Sequence, residues 1–174
     1  MLYFAYGSNL NVTAVSDWCK LCGYKCPVMR TAQKAVLDNY RLCFPVYSEY
    51  FGGGTGDIVY DPGKYVAGAL FDLTEAEMTV LDAKVGRRLD STGAEVGIYK
   101  RSTVLVSPLV GNARVEAVTY QAVAVEKFDI PPTKHYMSMV VQGAYAMGLS
   151  MMWIAYLQSF PTQEGRKPRA PSTK

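Results

Sequence analysis

Histidine is almost missing from this chain: His135 is the single one in 174 residues, and nothing in the neighbouring sequence pairs it with a nucleophile. It therefore reads as a surface or helix-terminal residue rather than a general base. Charge is also scarce, at 19% against the usual quarter. No run of about 18 apolar residues occurs, which excludes a transmembrane helix. The glycines at 52, 53, 54 and 56 lack the Lys-Ser/Thr of a phosphate-binding loop and the spacing of a dinucleotide fingerprint, so they read as a plain flexible loop. Clustered basic residues occur only from Pro161 onward, where Arg166, Lys167, Arg169 and Lys174 face Glu164 alone. That stretch accounts for the whole formal charge of +3 and leaves a neutral body, an unpromising surface for nucleic acid. The expected organisation is one domain over residues 1–160 and a basic, solvated, disordered tail over 161–174.

What the chain has in quantity is apolar and aromatic: 49% hydrophobic residues, 13 Tyr and 8 Met. These supply either a Tyr-rich core or a face covered by a protein partner. Four cysteines stand at Cys19, Cys22, Cys26 and Cys43. The first three form C-x2-C-x3-C, and a zinc site would need Cys43 as fourth ligand from 17 residues downstream of Cys26. A metal site, a disulfide and ordinary half-buried thiols are all open readings. If the numbering is that of the primary product, a strand starting directly after Met1 is expected to leave no room for a leader. The default compartment is then the cytosol, with an organelle reached after removal of a presequence as the alternative.

Local patterns divide the chain as follows. Leu2 to Tyr6 is an aromatic strand cut off by Gly7-Ser8-Asn9. A short helix over Asn11 to Asp17, capped by Asn11 or Thr13, precedes the cysteine segment. Strands are expected over Val36–Phe44, Asp57–Tyr60, Tyr65–Leu73, Ile98–Val106 and Val115–Val123, with a turn at Asp61-Pro62-Gly63. Thr74 and Glu77 form a capping box for a helix that stops at Gly86, and a polar loop fills 87–97. Lys134 to Phe160 gives two helices joined near Gly148-Leu149-Ser150, with Ser150 as cap. Strands and helices do not alternate regularly, which predicts an α+β fold with a mixed or antiparallel sheet.

Tyr3-Phe4-Ala5-Tyr6-Gly7-Ser8-Asn9-Leu10 resembles the opening strand and loop of the gamma-glutamylcyclotransferase (AIG2-like) family. Further blocks follow in the same order: Gly56-Asp57-Ile58-Val59 with Pro62-Gly63 and Val66-Ala67-Gly68-Ala69-Leu70; Leu81-Asp82 with Gly86; Tyr99-Lys100-Arg101; the Tyr120 strand; and Pro132 with Tyr136, Gly143-Ala144 and Gly148-Leu149. The resemblance implies a small β-barrel-like sheet, mostly antiparallel and flanked by helices. It also implies cyclisation of a gamma-glutamyl group to 5-oxoproline, with no cofactor. In that reaction the substrate's own amine attacks its side-chain carbonyl, and one carboxyl group takes and returns the proton. Backbone N–H groups of Gly7, Ser8, Asn9 and Leu10 would hold the substrate, with Tyr6 and Tyr120 lining the pocket.

The chain departs from the pattern at one position. Where the family carries its acid/base Glu, this sequence has Val85. One expectation is a catalytically silent member that binds a gamma-glutamyl small molecule or serves as an assembly subunit for a protein partner. A second is an active enzyme with Glu95 or Asp90 as relocated acid/base, Asp82 being a third carboxylate to consider. A metal-binding module on the cysteines is the remaining alternative. Oligomeric state has no sequence signal.

Overall fold

The computed structural model describes residues 1–111 and 113–165, with the side chains of residues 30–32 left aside. Arg166, Lys167, Arg169 and Lys174, which carry the basic character expected of the tail, lie outside the described residues. Pro161 to Gly165 lie within them, and there Gln163 pairs with Thr133 while Lys134 bonds Glu164.

Five strands close into a barrel in the order β1 (Leu2–Ala5), β3 (Gly53–Asp72), β2 (Arg30–Ser48), β4 (Tyr99–Pro108) and β5 (Val115–Ala122). Every pairing is antiparallel except the closing one, where β1 runs parallel to β5 at Tyr3 and Val118. Closure is pinned by Thr119, whose hydroxyl donates to the Phe4 carbonyl at 2.8 Å. The expected mixed, mostly antiparallel barrel is thus the observed one. Phe4, Leu37, Leu42, Phe44, Leu70 and Phe71 are among the fully buried side chains of the core inside the barrel and between its wall and the helices. Among the described residues no helix is long and apolar enough to cross a membrane.

Four helices flank the barrel: α1 (Val12–Cys22), α2 (Glu75–Val85), α3 (Lys134–Ala146) and α4 (Met151–Gln158). Their first residues are held by side-chain caps. Asn11, Thr74, Thr133 and Ser150 each accept a backbone N–H with the side chain, Glu77 completes the box at Thr74, and α2 stops at the left-handed Gly86.

Three expectations need correction. The first helix runs to Cys22 rather than Asp17, so Cys19 and Cys22 lie on it, and Gly23 ends it. Two expected strands, 57–60 and 65–73, are parts of the one long strand β3. Asp61 to Lys64 form an excursion where Tyr40 pairs with Tyr60 but Asp38 pairs with Tyr65, and the Asn39 side chain accepts the Gly63 N–H. Finally, Gly53, Gly54 and Gly56 are strand residues, not a flexible loop. A Cβ on Gly54 would overlap the Ile130 carbonyl and sit 2.8 Å from the Phe44 carbonyl oxygen, so glycine here serves a close backbone crossing.

A second close approach sets the position of the loop after β1. A Cβ on Gly143 of α3 would lie 2.6 Å from the Asn11 nitrogen and 2.7 Å from the Leu10 carbonyl carbon. Both are backbone atoms, which cannot swing aside as a side-chain end can. Gly143→Ala is expected to cost about 2 kcal/mol, the middle of the range for overpacking, read as a lowered urea midpoint with unchanged slope.

Candidate functional site

The strand β1 delivers its chain into a single 3-10 turn, Ser8–Leu10, closed by bonds from the Leu10 and Asn11 N–H groups to the Gly7 and Ser8 carbonyls at 3.0 and 3.1 Å. Around it stand five tyrosines. Tyr6 donates its hydroxyl to the Tyr120 carbonyl at 2.6 Å, and Tyr3 accepts from the Asn9 amide at 2.9 Å. Tyr99 donates to the Gly56 carbonyl, and Tyr136 accepts the Gly56 N–H, both at 2.9 Å. Ser8 lies beside the Tyr136 phenol and, with the Gly56 N–H, opposes the upward push of burial on it. Burial pushes the phenols of Tyr3, Tyr6, Tyr99, Tyr120 and Tyr136 upward, so none releases a proton near neutrality. The Tyr-rich composition is therefore largely a hydrogen-bonded interior around the turn. Gly7 itself has φ −108° and a Cβ there would meet only the Tyr136 oxygen at 3.4 Å, so neither conformation nor packing demands glycine at that position.

The carboxylates fall into three different settings. Asp82 of α2 accepts from Arg101 twice, at 2.9 and 2.8 Å, from Arg87 at 3.0 Å and from the Tyr120 hydroxyl at 2.7 Å. Burial pushes its carboxyl up, but the bonds from Arg101, Tyr120 and Arg87 outweigh that and leave it below its ordinary value. Glu95 is drawn to Arg87 through one oxygen at 2.8 and 2.9 Å, and its other oxygen is buried with no partner among the described residues. Asp90 is exposed and accepts from Thr92 and Ala94 in its own loop. Each of the two residues expected to replace the missing acid is thus bound to near neighbours rather than to the turn.

Asp57 was legible only as part of a motif block. It is 5% exposed, accepts the Ala122 N–H at 3.2 Å, and lies near enough to Tyr6, Tyr99 and Tyr136 to raise their phenols further. Burial raises its own carboxyl, against bonds from the Ile58 and Ala122 N–H groups. Lys84 carried no signal at all. Its side chain crosses from α2 to donate to the Asn9 side-chain oxygen at 2.8 Å, and burial brings its ammonium down to about 8.

The four cysteines are not brought together at one point. Cys43 lies in β2 with its thiol toward the Asp57 carbonyl, whereas Cys19 contacts Cys26. All four thiols are free, and among the described residues no three His, Cys, Asp or Glu side chains are placed to hold an ion. His135 is exposed on α3, beside the Phe51 ring. Two open surface clefts, of about 370 and 310 Å³, lie along residues 126–131 and between α3 and the end of α4, neither lined by the turn.

The model of the AIG2-like family matches residues 65–157, more than half of the chain. This protein belongs to the AIG2-like family. The AIG2-like chain is 27% identical over 162 residues to a gamma-glutamylcyclotransferase of Bos taurus, covering 91% of this chain and 77% of that one. It is 24% identical to the Mus musculus gamma-glutamylcyclotransferase, over 94% of this chain and 80% of that one. A solved gamma-glutamyl cyclotransferase superposes with a TM-score of 0.77 at 23% identity, over 99% of this chain and 94% of its own. The human protein loc79017 superposes at 0.76 and 23%, over 93% and 88%. These superpositions establish that the AIG2-like chain has the cyclotransferase fold.

Asp82 generates a pH prediction. Its carboxyl is lowered on folding, so its stabilisation is full above the unfolded value of about 4 and is lost as pH falls through the lower folded value. Asp82→Asn is expected to cost about 2–3 kcal/mol at neutral pH, below the figure for a fully buried pair because the group is partly solvated. In urea melts the gap between wild type and variant should close as pH drops below about 4.

Proposed function

We propose that this AIG2-like chain is a catalytically silent relative of gamma-glutamylcyclotransferases, keeping the ligand turn as a binding or assembly module. The observation that carries the reading is the engagement of the carboxylates nearest the departure at Val85. Asp82 is clamped by two arginines and a tyrosine, and Glu95 is paired to Arg87. Val85 has no proton to give. A carboxylate tied into two guanidinium contacts and held below its ordinary value makes a poor general base near neutrality.

One observation favours the second reading, an active cyclotransferase. Asp57 is a buried carboxyl, raised by burial, beside three tyrosines of the turn. A carboxyl of that kind is shifted in the direction that acid/base work near pH 7 requires. It would replace Glu95 and Asp90 as the proton carrier of that reading.

The experiment is 5-oxoproline release from gamma-glutamyl dipeptides and amines by wild type, Val85→Glu and Asp57→Asn. Wild type is expected to be inert, as loss of the acid/base costs about two to four decades in rate. Val85→Glu is expected to raise release at least tenfold over wild type. Robust wild-type turnover abolished by Asp57→Asn would replace the silent reading with the active one.

A further inference from the structure

We propose that Lys84 makes the turn at residues 7–10 a receptor for the carboxylate of a small ligand that carries no ammonium group of its own. The inference rests on reading the turn as a ligand-holding loop, and goes further by assigning the sign of the charge it selects.

Lys84 sits one residue before Val85 at the end of α2, and its ammonium reaches the turn itself through Asn9. An ammonium has three donors. Asn9 takes one, and the other two find no acceptor among the described residues. The nearby acids do not serve it: Asp82 and Glu95 are occupied by Arg87 and Arg101, while Glu77 caps α2 and bonds the Val28 N–H. Cys19, the other titratable group facing it from α1, has a thiol pushed up to about 11 by burial and by Cys26, and so stays neutral.

A cation placed this way is incomplete. Its stem is half-buried and its ammonium has no counter-charge among the described residues, and an arriving anion would supply both the charge and the missing acceptors. A small group can approach from solvent, because Gly7, Ser8, Lys84 and Val85 are all only half-buried and Gly7 puts no side chain in the way. The same ammonium disfavours a zwitterion. Beside Val85, a ligand's α-ammonium would meet a like charge and an apolar side chain instead of a carboxylate.

The test follows the Ser8 and Asn9 amide resonances of 15N-labelled protein against three probes. These are 5-oxoproline, the same ring without its carboxylate (2-pyrrolidinone), and γ-glutamylalanine. The expected result is saturable shifts with 5-oxoproline and at least tenfold weaker binding of the other two. Lys84→Met, which keeps the stem and removes the charge, should make the two rings bind alike, and Lys84→Arg should keep the preference in part. Equal binding of both rings by wild type overturns the proposal, as does a carboxylate preference that survives in folded Lys84→Met or silence toward 5-oxoproline. If Lys84→Met does not fold, the three-probe comparison on wild type still decides. Robust turnover in the release assay would overturn catalytic silence and, because its substrates carry an α-ammonium, would overturn the exclusion of zwitterions as well, whereas a null here would leave catalytic silence standing.

Discussion

The structure around the turn depends on the carboxylate of Asp82. It is one side chain on α2, yet its partners come from the loop after that helix, from β4 and from β5. Hydrogen bonds to a charged group are worth roughly 1.5–3 kcal/mol each when sheltered, against about 1 for neutral ones. Four of them at one group outweigh its burial, which is why the carboxyl sits below rather than above its ordinary value. The consequence is geometric. With Arg101 spanning Asp82 and Glu75, α2 is fixed against the barrel wall at both its first and last turns. The end of the helix can then place Lys84 on Asn9.

That clamp also decides what the neighbouring acids can do. Arg87 bridges Asp82 and Glu95, so the polar loop at 87–97 is folded back by its own ion pair. Glu95 is consequently spent on holding the loop, and Asp90 on shaping its tip. A loop carboxylate looks free when read as sequence because its partners there are unspecified. Arginines within a few residues, or across a barrel seam, are ready competitors for it, and here they win.

Features governed by neighbours along the chain were legible in the sequence: the capping box at Thr74 and Glu77, the stop at Gly86, the caps at Ser150 and Asn11, and the ordered motif blocks. Features governed by chain crossings were not. Gly53, Gly54 and Gly56 have loop composition, but all three lie in β3, and at Gly54 the chain at Phe44 and Ile130 passes too near the strand for a Cβ. The break between two expected strands at Asp61-Pro62-Gly63 was real as a local bend, yet β2 pairs across both halves and makes them one element. Asp57 and Lys84 belong to the same class. Nothing in Gly56-Asp57 or Ala83-Lys84 distinguishes a surface charge from a buried one until β5, α1 and the turn are packed against them.

Val85 and Lys84 gain meaning when taken together. In the proposed reading, Val85 leaves the end of α2 without the carboxylate that the family resemblance places there. Lys84 in turn brings an ammonium to Asn9, next to the position where Val85 offers no charge. A glutamate restored at position 85 would stand beside that ammonium. Pairing would draw its carboxyl down, away from the range in which one group can both take and return a proton at neutral pH. In the silent reading proposed above, Val85 accounts for the missing proton carrier, and Lys84 sets a limit on how far a glutamate restored at position 85 can recover the rate, so the gain from Val85→Glu is partial rather than complete.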